Sequence, residues 1–361
     1  MSDASIGPRS GAILRVVVAL GAAVVAAWLV GRVASDRFLW SQLLFWIPTP
    51  LAIVASIVLI VAAIAMRPTS STNSTNSSRA PAPPIGATVA IPSRARRWVS
   101  ILGAAALVLT VVSLAREQRA WPRLRDLVRA SAPPPREAAL RILHCNLHWP
   151  EGERSPKVMA FLNGREEDLI VFTEPGWLLF DERGKALEQA GWTIVRTGRF
   201  AVLSRVPVIE ARGLVRAKDT DITLLRVDAS KWSLGELTIG LADMPSGPLL
   251  ARHAHAELVR RLLDAGAAPP FDLVLGDLNN TRGAASFDVL FPGLRDAYDE
   301  AGRGIGGSWP ATFPLWQIDH ALLGPRLRAL DYTLIDIGLS KHRAQLLAIV
   351  PSADERRNQV D

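Results

Sequence analysis

Residues 38–66 form an uncharged run of 29 residues, which limits the possible folds more than any other feature of the chain. A membrane-spanning helix needs about 20 apolar residues, so this run is long enough to cross a bilayer. Shorter uncharged runs lie on either side of it, at residues 16–31 and 98–115. We therefore predict a membrane region over residues 1–115 with three transmembrane helices, at about residues 12–34, 43–66 and 98–115.

Details of these runs refine the prediction. The first run has the basic start and apolar core of a cleaved signal peptide, but the two further spans favour a retained anchor. The second run contains Pro48 and Pro50, so its helix starts after these prolines or is kinked there. Residues 67–97 are rich in Ser, Thr and Asn and then in Pro and Ala, which predicts a flexible hydrophilic loop.

Charge is divided unevenly along the chain. Residues 1–139 hold 15 Arg and no Lys against 5 acidic residues, a balance of +10, whereas residues 140–361 hold 26 basic against 29 acidic residues, a balance of −3. A domain that neutralises a nucleic-acid backbone needs a basic surface of its own. The split therefore makes nucleic acid an unlikely partner and a lipid bilayer an expected one.

The arginines also bear on orientation, because positive residues favour the cytoplasmic side of a span. Arginines beside the first and third spans favour a cytoplasmic N-terminus and an extracytoplasmic C-terminal domain. The basic, Pro-rich linker at residues 116–139 favours the opposite orientation, or else lies on anionic headgroups. On balance we expect a multi-pass protein of the plasma membrane with its C-terminal domain outside the cytoplasm.

Beyond the linker, residues 140–361 alternate between short β-type segments and amphipathic helical ones. Ten predicted strands and four predicted helices indicate an α+β sandwich, with two packed sheets and helices on the outer faces. The domain has neither a Gly-rich phosphate loop nor a Gly-x-Ser-x-Gly elbow, which disfavours P-loop and serine-hydrolase chemistry. The single cysteine, Cys145, excludes an internal disulfide framework and any cysteine-based zinc site.

Polar residues collect near the ends of the predicted strands. They are Asn146, Glu174, Asp277, Asn279, Asp319 and His342. Because Mg²⁺ prefers carboxylate and amide oxygens, we expect Asn146, Glu174 and Asp319 to supply metal ligands. Asp277 and His342 would then provide a base and a phosphate-facing acid.

Four segments carry a resemblance to a known family. They are Gly276-Asp277-Leu278-Asn279, Ala201-Val202-Leu203-Ser204-Arg205, Ser308-Trp309-Pro310-Ala311 and Gln317-Ile318-Asp319-His320. With the order of the polar residues, they make residues 140–350 resemble the endonuclease/exonuclease/phosphatase superfamily, and the front end looks like its membrane-anchored bacterial branch. The resemblance implies a four-layered α/β sandwich with a divalent metal, Mg²⁺ or Mn²⁺, held by Asn146 and Glu174.

The resemblance also implies roles for the remaining residues. Asp277 would orient and deprotonate a water molecule, and Asn279 would help to hold the phosphate. Asp319 would position the metal or the histidine, and His342 would stabilise the phosphoryl oxygens in the transition state.

The sequence departs from the family pattern at two positions. Lys341 stands where the family usually has Asp before the final histidine, and Asp243 stands where many members have a His or Tyr facing the phosphate. We take Asp243, Lys341 and Arg343 as candidates for contact with the substrate phosphate. The main hypothesis is a membrane-anchored, metal-dependent phosphoesterase that uses in-line attack by water on a small phosphorylated molecule or a phospholipid headgroup. The alternative is a weakened member of the same fold that binds a phosphorylated ligand at the membrane without efficient turnover.

Overall fold

The computed structural model describes residues 8–65, 93–119, 138–149, 154–177, 179, 182–217 and 219–353. The chain divides into two compact units. The helical unit comprises Met1–Ala34 and Ile47–Ala115, and the sandwich unit comprises Ser35–Trp46 and Arg116–Asp361. The sandwich unit is therefore assembled from two stretches of chain that are far apart in sequence. Most of the predicted loop 67–97 and of the predicted linker 116–139 lies outside the described residues.

Four helices lie in the described residues of the N-terminal third: α1 (Pro8–Ala34), α2 (Leu39–Phe45), α3 (Thr49–Ala65) and α4 (Ser93–Glu117). Within the helical unit, α1 packs on α3, and a Cβ at Gly21 would lie 3.2 Å from the Leu59 side chain. Among the described residues, Ala12–Ala34 and Arg94–Glu117 are long and apolar enough to cross a membrane. A third span results if α2 and α3 count as one broken span.

The predicted second span, residues 43–66, is interrupted. α2 ends at Phe45 and α3 begins at Thr49. Pro50 falls in the first turn of α3, where a missing N–H removes no helical hydrogen bond. Residues 35–46, which the sequence pattern placed between or within membrane helices, belong to the sandwich unit instead.

Thirteen strands lie in the described part of the sandwich unit: β1 (Leu140–Asn146), β2 (Leu169–Thr173), β3 (Thr193–Thr197), β4 (Phe200–Ser204), β5 (Val208–Ala217), β6 (Thr220–Asp228), β7 (Glu236–Asp243), β8 (Leu273–Asp277), β9 (Arg295–Asp296), β10 (Gly302–Arg303), β11 (Asp319–Leu323), β12 (Leu327–Ile335) and β13 (Ala344–Pro351). They form a seven-stranded sheet, β10-β12-β13-β1-β2-β4-β3, and a six-stranded sheet, β5-β6-β7-β8-β11-β9. The helices of this unit, besides α2, are α5 (Arg154–Leu162), α6 (Glu182–Gln189), α7 (Arg252–Ala265), α8 (Ala285–Leu290) and α9 (Ala297–Ala301).

Alternating side chains of the central strands build three apolar layers. Ile142 and its inward-facing neighbours pack between the two sheets, whereas Leu143 faces the opposite side and packs with residues of α5 and α6. On the other sheet, Val274 packs with residues of α7 and α8. Because side chains alternate along a strand, strands buried on both faces produce helix, sheet, sheet and helix layers. The predicted α+β sandwich of two packed sheets with outer helices is confirmed.

Candidate active site

A cavity of about 1000 Å³ in the sandwich unit is lined by residues that follow or end strands. Seven of the residues singled out in the sequence line it: Asn146, Glu174, Asp243, Asp277, Asn279, Lys341 and His342. Asp319 and Arg343 do not belong to its lining. The lining also includes polar and aromatic residues that the sequence analysis did not assign to a site, namely Trp46, His148, Arg199, His255, Trp309 and Trp316.

Four neighbouring strands of the six-stranded sheet place one aspartate each in a single row. Asp221 of β6 lies opposite Asp243 of β7, Asp243 lies beside Asp277 of β8, and Asp277 lies opposite Asp319 of β11. Adjacent strands are about 4.8 Å apart, so the four carboxyl groups repel one another unless cations or protons intervene. A nearby positive charge would therefore stabilise this row of aspartates.

His342 supplies part of that charge. Its Nδ1 lies 2.9 Å from Asp319 Oδ2 and 3.8 Å from Asp277 Oδ2. Burial by itself lowers the pKa of His342, but the charge of Asp319 and its hydrogen bond outweigh burial and raise the pKa to about 9. His342 is therefore a cation at neutral pH, held in place by Asp319.

The pKa values of the two buried aspartates, Asp277 and Asp319, are shifted in opposite directions. Burial tends to raise the pKa of Asp319, but the adjacent His342 cation holds that pKa below its usual value. Burial and the charge of Asp319 together raise the pKa of Asp277 well above its usual value. Asp319 thus behaves as a fixed anion that orients His342, whereas Asp277 has the higher proton affinity expected of a base.

Backbone geometry explains why the segment Gly276-Asp277-Leu278-Asn279 has this composition. Gly276 has φ of 153°, and a Cβ there would lie 1.8 Å from the Ala242 carbonyl oxygen. Asn279 adopts a left-handed φ of 48°, and its backbone N–H donates to Asp277 Oδ1 at 2.9 Å. Asn146 Nδ2 donates to the other oxygen, Asp277 Oδ2, at 2.9 Å. The carboxylate of Asp277 is therefore held on both oxygens by residues of the predicted site.

Glu174 follows β2 and also has a left-handed φ, of 50°. Its Oε2 lies 3.4 Å from His148 Nδ1 and its Oε1 lies 3.9 Å from Arg199 Nη1. Both contacts are long, and the carboxylate remains partly open to the cavity. Glu174 is accordingly available as an oxygen ligand.

Arg199 is a site residue that sequence reasoning missed. It lies in the turn between β3 and β4, and its Nη1 donates to Asp243 Oδ2 at 2.9 Å. Burial raises the pKa of Asp243 to about 7 even though Arg199 pulls that pKa down. Asp243, which was predicted to contact the phosphate, instead binds the guanidinium of Arg199. Arg199 lines the cavity, and its positive charge suits a phosphate.

The two remaining candidate phosphate contacts differ in position. Lys341 is exposed and lines the cavity. Arg343 lies outside the lining, and its Nε donates to the Ala311 carbonyl at 2.7 Å. Only Lys341 of this pair is placed to meet a ligand in the cavity.

Two further histidines, His144 and His255, contact neighbouring side chains. His144 is buried between Thr173 Oγ1 at 2.9 Å and Gln345 Nε2 at 2.6 Å, and burial lowers its pKa to about 4. His255 lines the cavity, where its Nε2 lies 2.9 Å from Thr220 Oγ1. His144 is therefore a buried structural residue, whereas His255 belongs to the cavity lining together with His148 and His342.

The donor set fits a hard divalent cation. Ligand atoms of Asp277, Asp319 and His342 lie within 4.8 Å of one another, and Asp319 Oδ1 is buried without a hydrogen-bond partner. Since His342 Nδ1 is committed to Asp319, the available donors are oxygens of Glu174, Asn146 and the aspartates. Carboxylate and amide oxygens are the ligands that Mg²⁺ and Mn²⁺ prefer.

No protein-family model matches the chain, and no curated protein matches it. Solved structures do. The chain is similar to an endonuclease/exonuclease/phosphatase family protein from Bacteroides thetaiotaomicron, with 16% identity, a TM-score of 0.48, and coverage of 60% of this chain and 96% of that chain. It is similar to a mannosyl-6-phosphatase from the same organism, with 16% identity, a TM-score of 0.47, and coverage of 58% and 99%. A humanized D. rerio TDP2 gives 15% identity, a TM-score of 0.46, and coverage of 59% and 99%.

Resemblance to the membrane-anchored branch stays a prediction. At this level of identity we take the chemistry from the cavity itself.

The placement of Lys341 leads to a first prediction. Because Asp319 orients His342, replacing Lys341 removes only an exposed cation, and exposed charge interactions contribute about 0.2–1 kcal/mol. We expect Lys341→Ala to change kcat by less than about threefold and to act mainly on KM, measured by steady-state kinetics. The matched control is Lys185→Ala, an exposed lysine on α6 that does not line the cavity. A loss of kcat on the hundredfold scale would instead give Lys341 a direct part in the reaction.

Proposed function

We propose that this protein is a membrane-anchored, divalent-metal-dependent phosphoesterase that hydrolyses a phosphate ester by in-line attack of water. The observation that carries the proposal is the buried cluster of Asp277, Asp319 and His342 at a cavity that also holds Glu174 and Asn146. A high-pKa carboxyl, a histidine cation and oxygen ligands in one cavity supply a base, positive charge and metal ligands, which together support phosphoester hydrolysis.

The residues of this cluster have separate roles in the proposed reaction. Glu174 and Asn146, with the buried aspartates, would hold a Mg²⁺ or Mn²⁺ ion, which supplies Lewis-acid polarisation of a phosphoryl oxygen when bound. Asp277 accepts the proton of the attacking water, since its raised pKa matches that role. His342, whose Nδ1 is bound to Asp319, donates one hydrogen bond from Nε2 and places positive charge near the phosphoryl oxygens as negative charge develops on them.

Further residues bind the phosphate before reaction. Arg199 and Lys341 place positive charge in the cavity. Asn279 uses one amide N–H to hold the Met244 carbonyl at 2.7 Å, and an amide nitrogen carries a second N–H for a phosphate oxygen. These groups neutralise one phosphate without a long basic groove. A small phosphorylated molecule or a phospholipid headgroup suits the cavity better than a nucleic acid.

The alternative function, ligand binding without efficient turnover, rests on the two departures from the family pattern, Lys341 before His342 and Asp243. The pairing of Asp319 with His342 supports turnover, because the histidine has its orienting carboxylate from another strand.

The proposal is tested by an activity screen. Full-length protein in nanodiscs is assayed with Mg²⁺ or Mn²⁺ on lipid headgroups, sugar phosphates, nucleotides and abasic-site duplex DNA, with Asp277→Ala as the inactive control. We expect metal-dependent hydrolysis of at least one of the first three classes and poor cleavage of DNA. Saturable binding without hydrolysis in any class would support the alternative function.

Metal binding gives a second prediction. Metal at 100 times its Kd should stabilise the protein by about 2.7 kcal/mol, which raises Tm by roughly 5–10 °C for a domain of this size. We expect Glu174→Gln to lose most of this rise because it removes one negative ligand, as measured by thermal unfolding with and without excess Mg²⁺. The control Glu182→Gln, on the exposed surface of α6, should retain it. An unchanged metal response in Glu174→Gln would remove Glu174 from the ligand set.

For localisation we infer a multi-pass plasma-membrane protein with its sandwich unit outside the cytoplasm. Residues 35–46 and 116–361 form one compact unit, so both stretches lie on the same side of a membrane. An even number of crossings must separate them. If α4 crosses, α3 therefore crosses as well, which supports three spans. The arginines beside the first and third spans favour the N-terminus on the cytoplasmic side.

A further inference from the structure

The segment Ser35–Trp46 is fastened to the sandwich unit by buried polar contacts at its first residues. Asp36 is 1% exposed, and its two carboxylate oxygens accept from Asn280 Nδ2 at 2.7 Å and from the Ser286 backbone N–H at 3.1 Å. Ser35 Oγ accepts from the Ala285 backbone N–H at 3.0 Å. The first N–H groups of α8 are thus satisfied by side chains from the distant N-terminal part of the chain.

The middle and end of the segment are fastened in the same way. Gln42 Nε2 donates to the Pro248 carbonyl at 3.0 Å, and its Oε1 accepts from the Arg252 backbone N–H at 2.9 Å. Trp46 Nε1 donates to Asn280 Oδ1 at 3.1 Å, and the Trp46 carbonyl accepts from Trp316 Nε1 at 2.8 Å.

These contacts lead directly to the cavity. Trp46 and Trp316 both line it, and Asn280 follows Asn279 in the chain. The segment between α1 and α3 therefore contributes Trp46 to the lining of the candidate active site.

The helix α2 within this segment buries polar side chains and exposes apolar ones. Ser41, Gln42 and Phe45 are buried, and Gln42 is hydrogen-bonded to Pro248 and Arg252. The opposite side is apolar and exposed: Phe38, Leu39, Trp40 and Leu43 are exposed by 57%, 41%, 55% and 44%. The rings of Phe38 and Trp40 stack, with centroids 5.8 Å apart. A helix in contact with water normally presents its polar side outward, so this outer face is suited to an apolar surrounding.

Chain connectivity identifies that surrounding as lipid. α1 ends at Ala34, directly before the segment, and α3 begins at Thr49, three residues after Trp46. α2 is thus tethered at one end to a candidate membrane helix, α1, and at the other end to α3, the apolar helix with which it forms a bent pair. Trp and other aromatic residues are favoured at the level of the headgroups. Leu249 adds a further apolar side chain, 72% exposed, next to the Pro248 that binds Gln42.

We propose that α2 lies in the headgroup region of the bilayer with its Phe38–Trp40 face in lipid, and that the cavity, which Trp46 lines directly after α2, selects phosphoesters carried by lipids of the same membrane leaflet. The substrate part of this inference rests on the proposed phosphoesterase function. The membrane-contact part does not. A lipid whose phosphate reaches Asp277 keeps its acyl chains in the leaflet that receives α2, so the enzyme need not extract it.

The first experiment measures the membrane contact without any activity. A nitroxide label is placed by Phe38→Cys, and in a second protein by Ile209→Cys, in full-length chains in dioleoyl phosphatidylcholine nanodiscs. Cys145 is buried, which leaves the introduced thiol as the reactive one. Ile209 on β5 is 49% exposed and serves as the matched control. We expect the label at position 38 to be more accessible to oxygen than to a water-soluble nickel complex, and the label at 209 to show the reverse. A label at position 38 that is open to nickel, or closed to both reagents as in a protein contact, would overturn the inference.

The second experiment compares one phosphoester in two forms. Wild type and the double variant Phe38→Ser/Trp40→Ser are assayed on dioleoyl phosphatidic acid in nanodiscs and on water-soluble glycerol 3-phosphate. We expect wild type to prefer the lipid form, and the double variant to lose at least tenfold on the lipid form while its rate on the soluble form is unchanged. The control Ile209→Ser/Ile305→Ser replaces two equally exposed apolar residues of the sandwich unit and should change neither rate.

The outcomes separate the two proposals. Hydrolysis of the soluble ester but not of the lipid ester, or equal losses on both in the double variant, overturns the inference and leaves the phosphoesterase function standing. Hydrolysis of no substrate class, with the label at position 38 in lipid, overturns the phosphoesterase function and supports the membrane contact.

Discussion

Asp277→Asn is expected to lower kcat by about 10² or more, the usual scale of general-base catalysis. The substitution keeps the size of the side chain and removes the proton acceptor. The buried position of Asp277 and the charge of Asp319 raise its pKa well above the usual value, so the wild-type carboxyl can hold the proton taken from water. The measurement is the initial rate at saturating substrate and metal.

Stability measurements separate this effect from unfolding. Asn in place of Asp277 removes one negative charge from the row formed with Asp243 and Asp319, so Tm of the metal-free variant should not fall. Asp288→Asn, an exposed position on α8, is the matched control and should change neither kcat nor Tm. Near-full activity in Asp277→Asn would mean that the attacking water is activated by another group.

The pair of His342 and Asp319 gives the second large effect. His342→Gln is expected to lower kcat by about 10²–10³, the range seen when one donor to a developing oxyanion is removed. His342 acts as a cation, so its contribution is present below its pKa of about 9 and is lost as pH rises through that value. The pH–rate profile of wild type should therefore fall on the alkaline side near pH 9, and His342→Gln should lack that limb.

Asp319→Asn should act through the histidine. The charge of Asp319 and its hydrogen bond raise the pKa of His342 against the effect of burial, so their removal should move the alkaline limb to lower pH. Because the two side chains work as a unit, the double variant should lose about as much as His342→Gln alone. The buried pair of Asp296 and His320, 2.8 Å apart and outside the cavity lining, is the matched control. Asp296→Asn is expected to lower Tm without shifting the pH profile. Additive losses at Asp319 and His342 would contradict the coupling.

The sequence was most informative where chemistry and local geometry coincide. Gly276 and Asn279 are dictated by backbone angles and by a close approach to the neighbouring strand, so the motif around Asp277 is visible without a structure. Asp319 was identified as a site residue, but its pairing with His342 depends on which strands are neighbours. Strand order and register are set by packing of the whole sheet, and a single sequence does not contain them in readable form.

Other features of the structure have only weak signals in the sequence. Arg199 follows a glycine in a hairpin turn, and an arginine in such a turn is usually a solvated side chain. β5 has a weak sequence signal because it is an edge strand with mostly exposed or half-buried side chains, which removes the alternation that marks a half-buried strand. Trp46 and Gln42 were hidden inside an apolar run that satisfies the length of a membrane span. Asp36, two residues before that run, gave no sign that it binds a residue 244 positions later.

The contact between Asp36 and Asn280 also determines when the sandwich unit can finish folding during synthesis. During synthesis, residues 35–46 leave the ribosome long before Asn280, so their polar groups wait for partners until the sandwich unit has been made. A soluble fragment that begins after α4 would fold, if at all, with Asn280, the first turn of α8 and the indole of Trp316 lacking the partners that the N-terminal segment supplies. Expression of residues 116–361 alone therefore yields a domain without the Trp46 part of its cavity lining, because residues 35–46 belong to the same compact unit as the C-terminal stretch.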